Sequence, residues 1–228
     1  MIKLTRYGIE NNIYLCPEYI FTLQIENANN FYQLASELYY QGNGGEGGFH
    51  LLKDDKIIEI ESSIETVSDF LGFEINNKKF VNLLLKKFNL FLSRESENVE
   101  KLGNIEVQAA NIIESFQLYS GIDIDYTSPT SYDFLIKGFN LKIKEEGKTL
   151  LEKLILYINC AKELKRLEVV CLMFAKSFLS EDDITKLHKH CEYLKICLLL
   201  IESASAAELL QNEKKLIIDK DLCEIVCQ

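Results

Sequence analysis

Two unbroken apolar runs organise the second half of the chain, LEVVCLMFAKSF from Leu167 to Phe178 and LKICLLLIES from Leu194 to Ser203. Neither alternates with polar residues. Runs of this kind predict strands buried on both faces, the mark of a parallel sheet covered by helices. Between them Ser180 is a favourable N-cap, and Glu181, Asp182 and Asp183 fill the first turn, where the helix dipole favours carboxylates. Ile184, Leu187, Cys191 and Leu194 then recur at helical spacing. The stretch reads as strand, crossover helix, parallel strand.

The first half follows the same logic. Tyr19–Ile25 reads as a strand, and Asn27 caps a helix whose inner face is Phe31, Leu34, Ala35, Leu38 and Tyr39. QGNGGEGGFHLLKDD is a glycine-rich loop leading into a short strand. Ile57–Glu61 is a further strand, followed by a turn-rich helix with Val67, Phe70 and Leu71 inward. From Asn77 the pattern changes. Val81, Leu84, Leu85, Phe88, Phe91 and Leu92 mark a long amphipathic helix, and after SRESE a second runs from about Asn98 to Tyr119. Its expected inner face is Val99, Leu102, Val107, Ala110, Ile113 and Leu118. Two long helices joined by a short polar turn suggest an antiparallel pair. Tyr132–Phe139 reads as a short helix, LKIKEEG as extended, and Thr149–Leu164 as another helix with Leu151, Leu154, Ile155, Ile158 and Ala161 inward. A last hairpin is expected from Lys215–Ile218 and Glu224–Val226. The predicted class is α/β in a discontinuous domain, residues 1–75 and 150–228, with a helical insertion at 76–149.

Composition narrows the setting. The 228 residues, 47% of them hydrophobic, suffice for a well-buried core. No apolar stretch reaches the roughly 18 residues of a membrane span, and MIKLTRYGIENN lacks the apolar run of a signal peptide. Seven scattered cysteines, mostly inside apolar runs, read as reduced core thiols of a cytoplasmic protein.

The net charge of −10 is unevenly spread. Lys137–Arg166 carries eight Lys/Arg against four Glu, and Lys78, Lys79, Lys86 and Lys87 form a second basic group. A local patch can dominate the field at a binding surface despite an acidic average, although a basic cluster can equally be a solvated helix face.

Candidate chemistry is sparse. No G-x-x-x-x-G-K-[ST] occurs, which argues against ATP hydrolysis. Gly42–Gly47 spells G-x-G-x-x-G, but the loop follows a helix and opens a strand, the reverse of a phosphate-binding turn. His188 and His190 point about 200° apart on a helix and cannot share an ion, and both are expected to face solvent. Asp123, Asp125 and Asp133, with Glu145 and Glu152 further on, could supply oxygens to a hard cation such as calcium, or could be solvated caps and turns. Three histidines, none beside an obvious nucleophile, offer no Ser-His-Asp or Cys-His arrangement. No catalysis is expected.

Several strings together carry a resemblance: TLQIENANNFYQLASELYYQ, VSDFLGFEINNKKFVNLLLKKF, YDFLIKGFNLKIK, VVCLMFAKSFLSEDDI with LKICLLLIES, and KLIIDKDL. In this order the chain resembles, over nearly its whole length, the short form of the fourth, spacer-acquisition protein of type II-A CRISPR systems. The resemblance implies a P-loop-NTPase-like α/β head without Walker motifs and a helical leg. It also implies a homotetrameric ring holding double-stranded DNA by its ends, without catalysis. The implied partners are the CRISPR integrase and the RNA-guided effector nuclease, with no membrane. Calcium is the implied cofactor, with Asp123, Asp125, Asp133 and Glu152 as ligands. Phe116, Tyr119 and Gly121 stand where relatives carry further glutamates, which implies weaker calcium binding, fewer ions, or none. The implied DNA contacts are Lys137, Lys142, Lys144 and Lys148, then Lys86 and Lys87, all to phosphates. Two other readings compete: an α/β module that acts through a protein partner, and a degenerate nucleotide-binding protein.

Overall fold

A computed structural model of the chain describes residues 1–127, 138–145, 147, 149–203 and 209–227. Two compact units emerge, Met1–Ile75 with Glu145–Gln228, and Asn76–Lys144. The first opens with β1 (Ile2–Arg6), β2 (Ile13–Leu15), β3 (Ile20–Ile25) and α1 (Ala28–Gly42). It continues with β4 (Phe49–Lys53), β5 (Lys56–Ile58), the single turn α2 (Ile60–Ser63) and β6 (Ile64–Val67). The second unit contains α3 (Lys78–Arg94) and α4 (Ser96–Ser120). The chain then re-enters the first through α5 (Leu150–Leu164), β7 (Val169–Met173), a 3-10 turn (Ala175–Ser177), α6 (Glu181–Tyr193) and β8 (Cys197–Glu202). The hairpin β9 (Glu213–Ile218) and β10 (Glu224–Cys227) follows.

The main sheet has the order β10-β9-β3-β8-β7-β6, parallel except for β10. Every residue of β3, β7 and β8 is buried, which is why their sequences do not alternate. On one face Phe21, Leu23, Ile25, Cys171 and Leu199 share a core with Phe31, Leu34, Ala35 and Leu38 of α1. The same core takes in Ile2, Leu4 and Leu51 of a second, antiparallel sheet of order β2-β1-β4-β5. Nothing in the local pattern of MIKLTR announced that second sheet. Its central strand is held by β4, with Leu4 opposite Leu51.

The expected caps are present. Asn27 Oδ1 accepts from the N–H groups of Asn29 and Asn30, and Ser180 forms a reciprocal capping box with Asp183. Several local expectations need correction. Val99, Val107 and Leu118, expected on the inner face of α4, are exposed, as is Phe91 of α3, and the strand expected over Ile57–Glu61 ends at Ile58, with Ile60 and Glu61 opening α2. Residues 64–67 form strand β6 where a helix was expected, because Ile64 pairs with Val169 and Val67 with Leu172. Val67 and Phe70 are inward as expected, but Leu71 is exposed. Tyr39 is exposed too, and α1 buries Gln41, whose amide bonds both the N–H and the C=O of Phe49. That contact leaves no room for a side chain at Gly47, where a Cβ would lie 2.6 Å from the Gln41 amide carbon. All seven cysteines are free. Burial pushes the Cys191 and Cys197 thiols up to about 12, so they stay protonated and unreactive.

A buried polar group sits at β3, β8 and β9. Glu213 accepts from Thr22 Oγ1 (2.5 Å) and Lys176 Nζ (2.6 Å), while Glu202 accepts from the Lys176 N–H (2.9 Å). Burial pushes Glu213 up, but the bonds from Lys176 and Thr22 outweigh it and hold the carboxyl below the usual glutamate range. Burial wins at Glu202, which is raised. The signs are opposite. The Glu213 contribution to stability is present above its unfolded pKa and is lost as pH falls through its lowered folded value. The Glu202 contribution is present below its unfolded pKa and is lost as pH rises through its raised one. Glu202→Gln is therefore expected to stabilise the protein at pH 7.5 and much less at pH 5, read from urea unfolding at the two pH values.

Candidate nucleic-acid interface

Helix α3 carries Lys78, Lys79, Lys86, Lys87 and Arg94 and no acidic residue, whereas α4 carries Glu97, Glu100, Glu106 and Glu114 against Lys101 alone. The two helices, separated by Glu95, contact each other. Lys101 is paired with Glu97 at 2.7 Å. Five of the chain's 25 Lys/Arg thus stand on α3 with no acid among them, although the chain as a whole is acidic. Asn77 caps α3 by accepting from Phe80 N–H at 3.0 Å, so Lys78 and Lys79 occupy the first two helical positions. Cations there oppose the helix dipole by roughly 0.3–1 kcal/mol each.

At about 100° per residue, Lys79, Lys86, Lys87 and Arg94 fall within an arc of about 100°, and they extend over about 22 Å of axis. Lys86, Lys87 and Arg94 are exposed. Phe80, Leu84, Phe88 and Leu92 occupy the opposite arc, and Phe80 and Leu92 are buried. The result is a basic stripe interrupted by Leu83 and Leu90, which fall in the same arc.

Lys142 and Lys144 are brought to the start of that stripe. The Asn76 side chain, one residue before the cap, donates to the Ile143 carbonyl (2.9 Å) and accepts from the Ile143 N–H (2.8 Å). Residues 67 positions apart are thereby joined, with Ile143 half-buried and Lys142 and Lys144 exposed on either side. Neither Asn76 nor the first-turn pair Lys78 and Lys79 stood among the sequence-derived candidates. Lys78 and Lys79 were visible as charge, but no local pattern marks Asn76, whose partner is distant.

The remaining candidates are dispersed. Lys137, Lys148 and Asp133 lie outside the described residues. Lys162 and Lys165, part of the basic run in sequence, are absorbed by the fold: their ammonium groups donate to the carbonyls of Leu167 and Ile64. Asp123 and Asp125 are exposed beyond Gly121, which ends α4 in the left-handed conformation at φ 67°. Asp123 accepts from Gln117 Nε2 at 2.7 Å. Glu152 belongs to the other unit and closes the capping box of α5 by accepting from Thr149 N–H at 3.1 Å. Among the described residues no three His, Cys, Asp or Glu gather in a way that could hold a metal ion.

The histidines correct one expectation. His188 is buried, its Nε2–H donating to the Pro17 carbonyl at 2.8 Å, and His190 Nε2 lies 2.9 Å from Asn159 Oδ1. Their partners are far away in sequence, and both rings are structural. No helix among the described residues is long and apolar enough to cross a membrane.

Comparison with known proteins adds three findings. The family model described as CRISPR-associated protein (Cas_Csn2) matches residues 40–222. The chain is similar to the CRISPR-associated protein Csn2 of Streptococcus agalactiae, with 26% identity over 226 residues, covering 97% of this chain and 96% of that one. It is also similar to the crystal structure of Stu0660 of Streptococcus thermophilus, at TM-score 0.58 and 15% identity, covering 96% of this chain and 75% of that one. At that identity the likeness speaks for the fold.

Proposed function

The chain belongs to the CRISPR-associated Csn2 family, a non-catalytic DNA-binding component of spacer acquisition, and we propose that this member holds double-stranded DNA ends through the basic side of its helical unit. The observation that carries this reading is the segregation of charge: α3 has five Lys/Arg and no acid in a chain of net charge −10. Lys86 and Lys87 lie in the stripe, and Lys142 and Lys144 adjoin its beginning. Lys137 and Lys148 would add to them. Ammonium groups on a helix face and an extended segment suit phosphates and not base edges, so binding is sequence-independent and steeply weakened by salt.

Self-association into a homotetrameric ring agrees with the apolar residues that α4 leaves exposed, among them Val107, Ile112, Phe116 and Leu118. A closed ring multiplies one patch of modest charge by four. Calcium is the proposed cofactor of the helical unit. Asp123 and Asp125, with Asp133, are oxygen donors of the kind a hard cation takes. Glu152 has a role of its own as the cap of α5. The α/β unit is read as a P-loop-NTPase-like head that has given up nucleotide. Its turn from β3 into α1 is only Glu26 and Asn27, and Asn27 itself satisfies the amides a phosphate would need. The CRISPR integrase and the RNA-guided effector nuclease are the proposed protein partners.

The test compares linear and closed-circular duplex of one sequence at low salt, in calcium and in chelator, with particle mass followed in parallel. Linear duplex is expected to bind much the tighter, with binding and mass both reduced by chelator. Absence of binding to either DNA overturns the reading, equal affinity for both overturns the preference for ends, and indifference to chelator overturns the calcium assignment.

A further inference from the structure

We propose that Asn76 is a positioning residue for DNA binding, holding Lys142 and Lys144 in register with the lysines that begin α3; this rests on the interface reading above. Ile143 N–H belongs to the peptide plane shared with Lys142, and Ile143 C=O to the plane shared with Lys144. The peptide bond is planar, so holding one polar group in each plane restrains the Cα atoms of both lysines. The Asn76 amide does this with two bonds, 2.9 and 2.8 Å, reproducing the paired donor and acceptor of a neighbouring strand. Alanine there removes both bonds and alters no charge. An aspartate could not donate to the Ile143 carbonyl, and a glutamine would displace the segment by the length of a methylene. Asn76 lies one residue before the α3 cap, where the side chain is not needed for helix capping, because Asn77 supplies that bond. Its amide serves instead to join the segment to the helix.

The consequence is a particular dependence. Asn76 contributes to DNA affinity only through the lysines it positions. Removing one lysine–phosphate interaction is expected to weaken binding by about tenfold at 0.1 M salt and to lower the slope of log K against log salt by about 0.9. The experiment is a double-mutant cycle in the full chain with linear duplex: wild type, N76A, K142A/K144A and the three combined, each titrated at several salt concentrations. N76A is expected to weaken binding by about tenfold or more and to lower the salt slope. It should have no further effect once K142A/K144A is present. N76S, which keeps a small polar group before the cap, provides the same comparison if N76A loses helical content by circular dichroism. Equal factors for N76A in both backgrounds, or an unchanged salt slope, overturn the positioning role while leaving the interface standing. An unchanged affinity for K142A/K144A overturns the interface and this role with it.

Discussion

Reversing both charges in K142E/K144E is expected to abolish DNA binding while leaving the oligomer intact. Both side chains are exposed. The effect on DNA is large. Removing two ammonium–phosphate interactions costs about a hundredfold at 0.1 M salt, and two carboxylates facing the backbone add repulsion. The chain is already at −10, so no reserve of long-range attraction compensates for the change. Fluorescence anisotropy of labelled linear duplex measures the loss, and light scattering after size exclusion measures the assembly. Unchanged affinity would mean that the DNA-facing surface lies elsewhere. Loss of both binding and assembly would assign the two lysines to the subunit contact.

Lys165→Met is expected to destabilise the α/β unit by about 3–5 kcal/mol, the range for leaving one partner of a buried ion pair uncompensated. Its ammonium lies 2.5 Å from Glu65, and the two side chains are 6% and 2% exposed. Glu65 also accepts from Tyr157 Oη at 2.6 Å, and Lys165 bonds the Glu61 and Ile64 carbonyls. These contacts tie β6 and the turn before it to α5. Domains commonly retain only about 5–15 kcal/mol in total, so the urea midpoint should fall steeply. Adding Glu65→Gln to Lys165→Met is expected to recover much of the loss, because a neutral amide is far less costly to bury than a lone carboxylate and still accepts from Tyr157. A loss below about 1 kcal/mol for the single variant would show that water reaches the site.

The two lysine sets also show where reading the sequence succeeds and where it fails. Lys142 and Lys165 stood in one basic run, equal as far as charge could tell. Folding separated them: Lys142 remains exposed, whereas Lys165, at the end of α5, is consumed by Glu65 of β6. His188 was expected at the surface because its own helix pattern left it outside the apolar positions, yet Pro17, 171 residues away, supplies its acceptor. Strand β6 was hidden for the same reason. The spacing of Val67, Phe70 and Leu71 fits a helix, and only the pairing of Ile64–Val67 with β7 makes the segment a strand.

The sequence by itself determined the features that depend on neighbours a few residues away. Among these are the buried parallel strands β7 and β8 with their crossover helix, the caps at Asn27 and Ser180, the two helices of the insertion, and the charge of α3. Helical periodicity, capping and unbroken apolar runs all act within that range. Only the tertiary structure decided the second sheet, the fate of each lysine in the basic run and the Asn76 bond that carries Lys142 and Lys144 to the start of α3. Those depend on partners brought together across tens of residues, where register and orientation, and not composition, decide which polar groups meet.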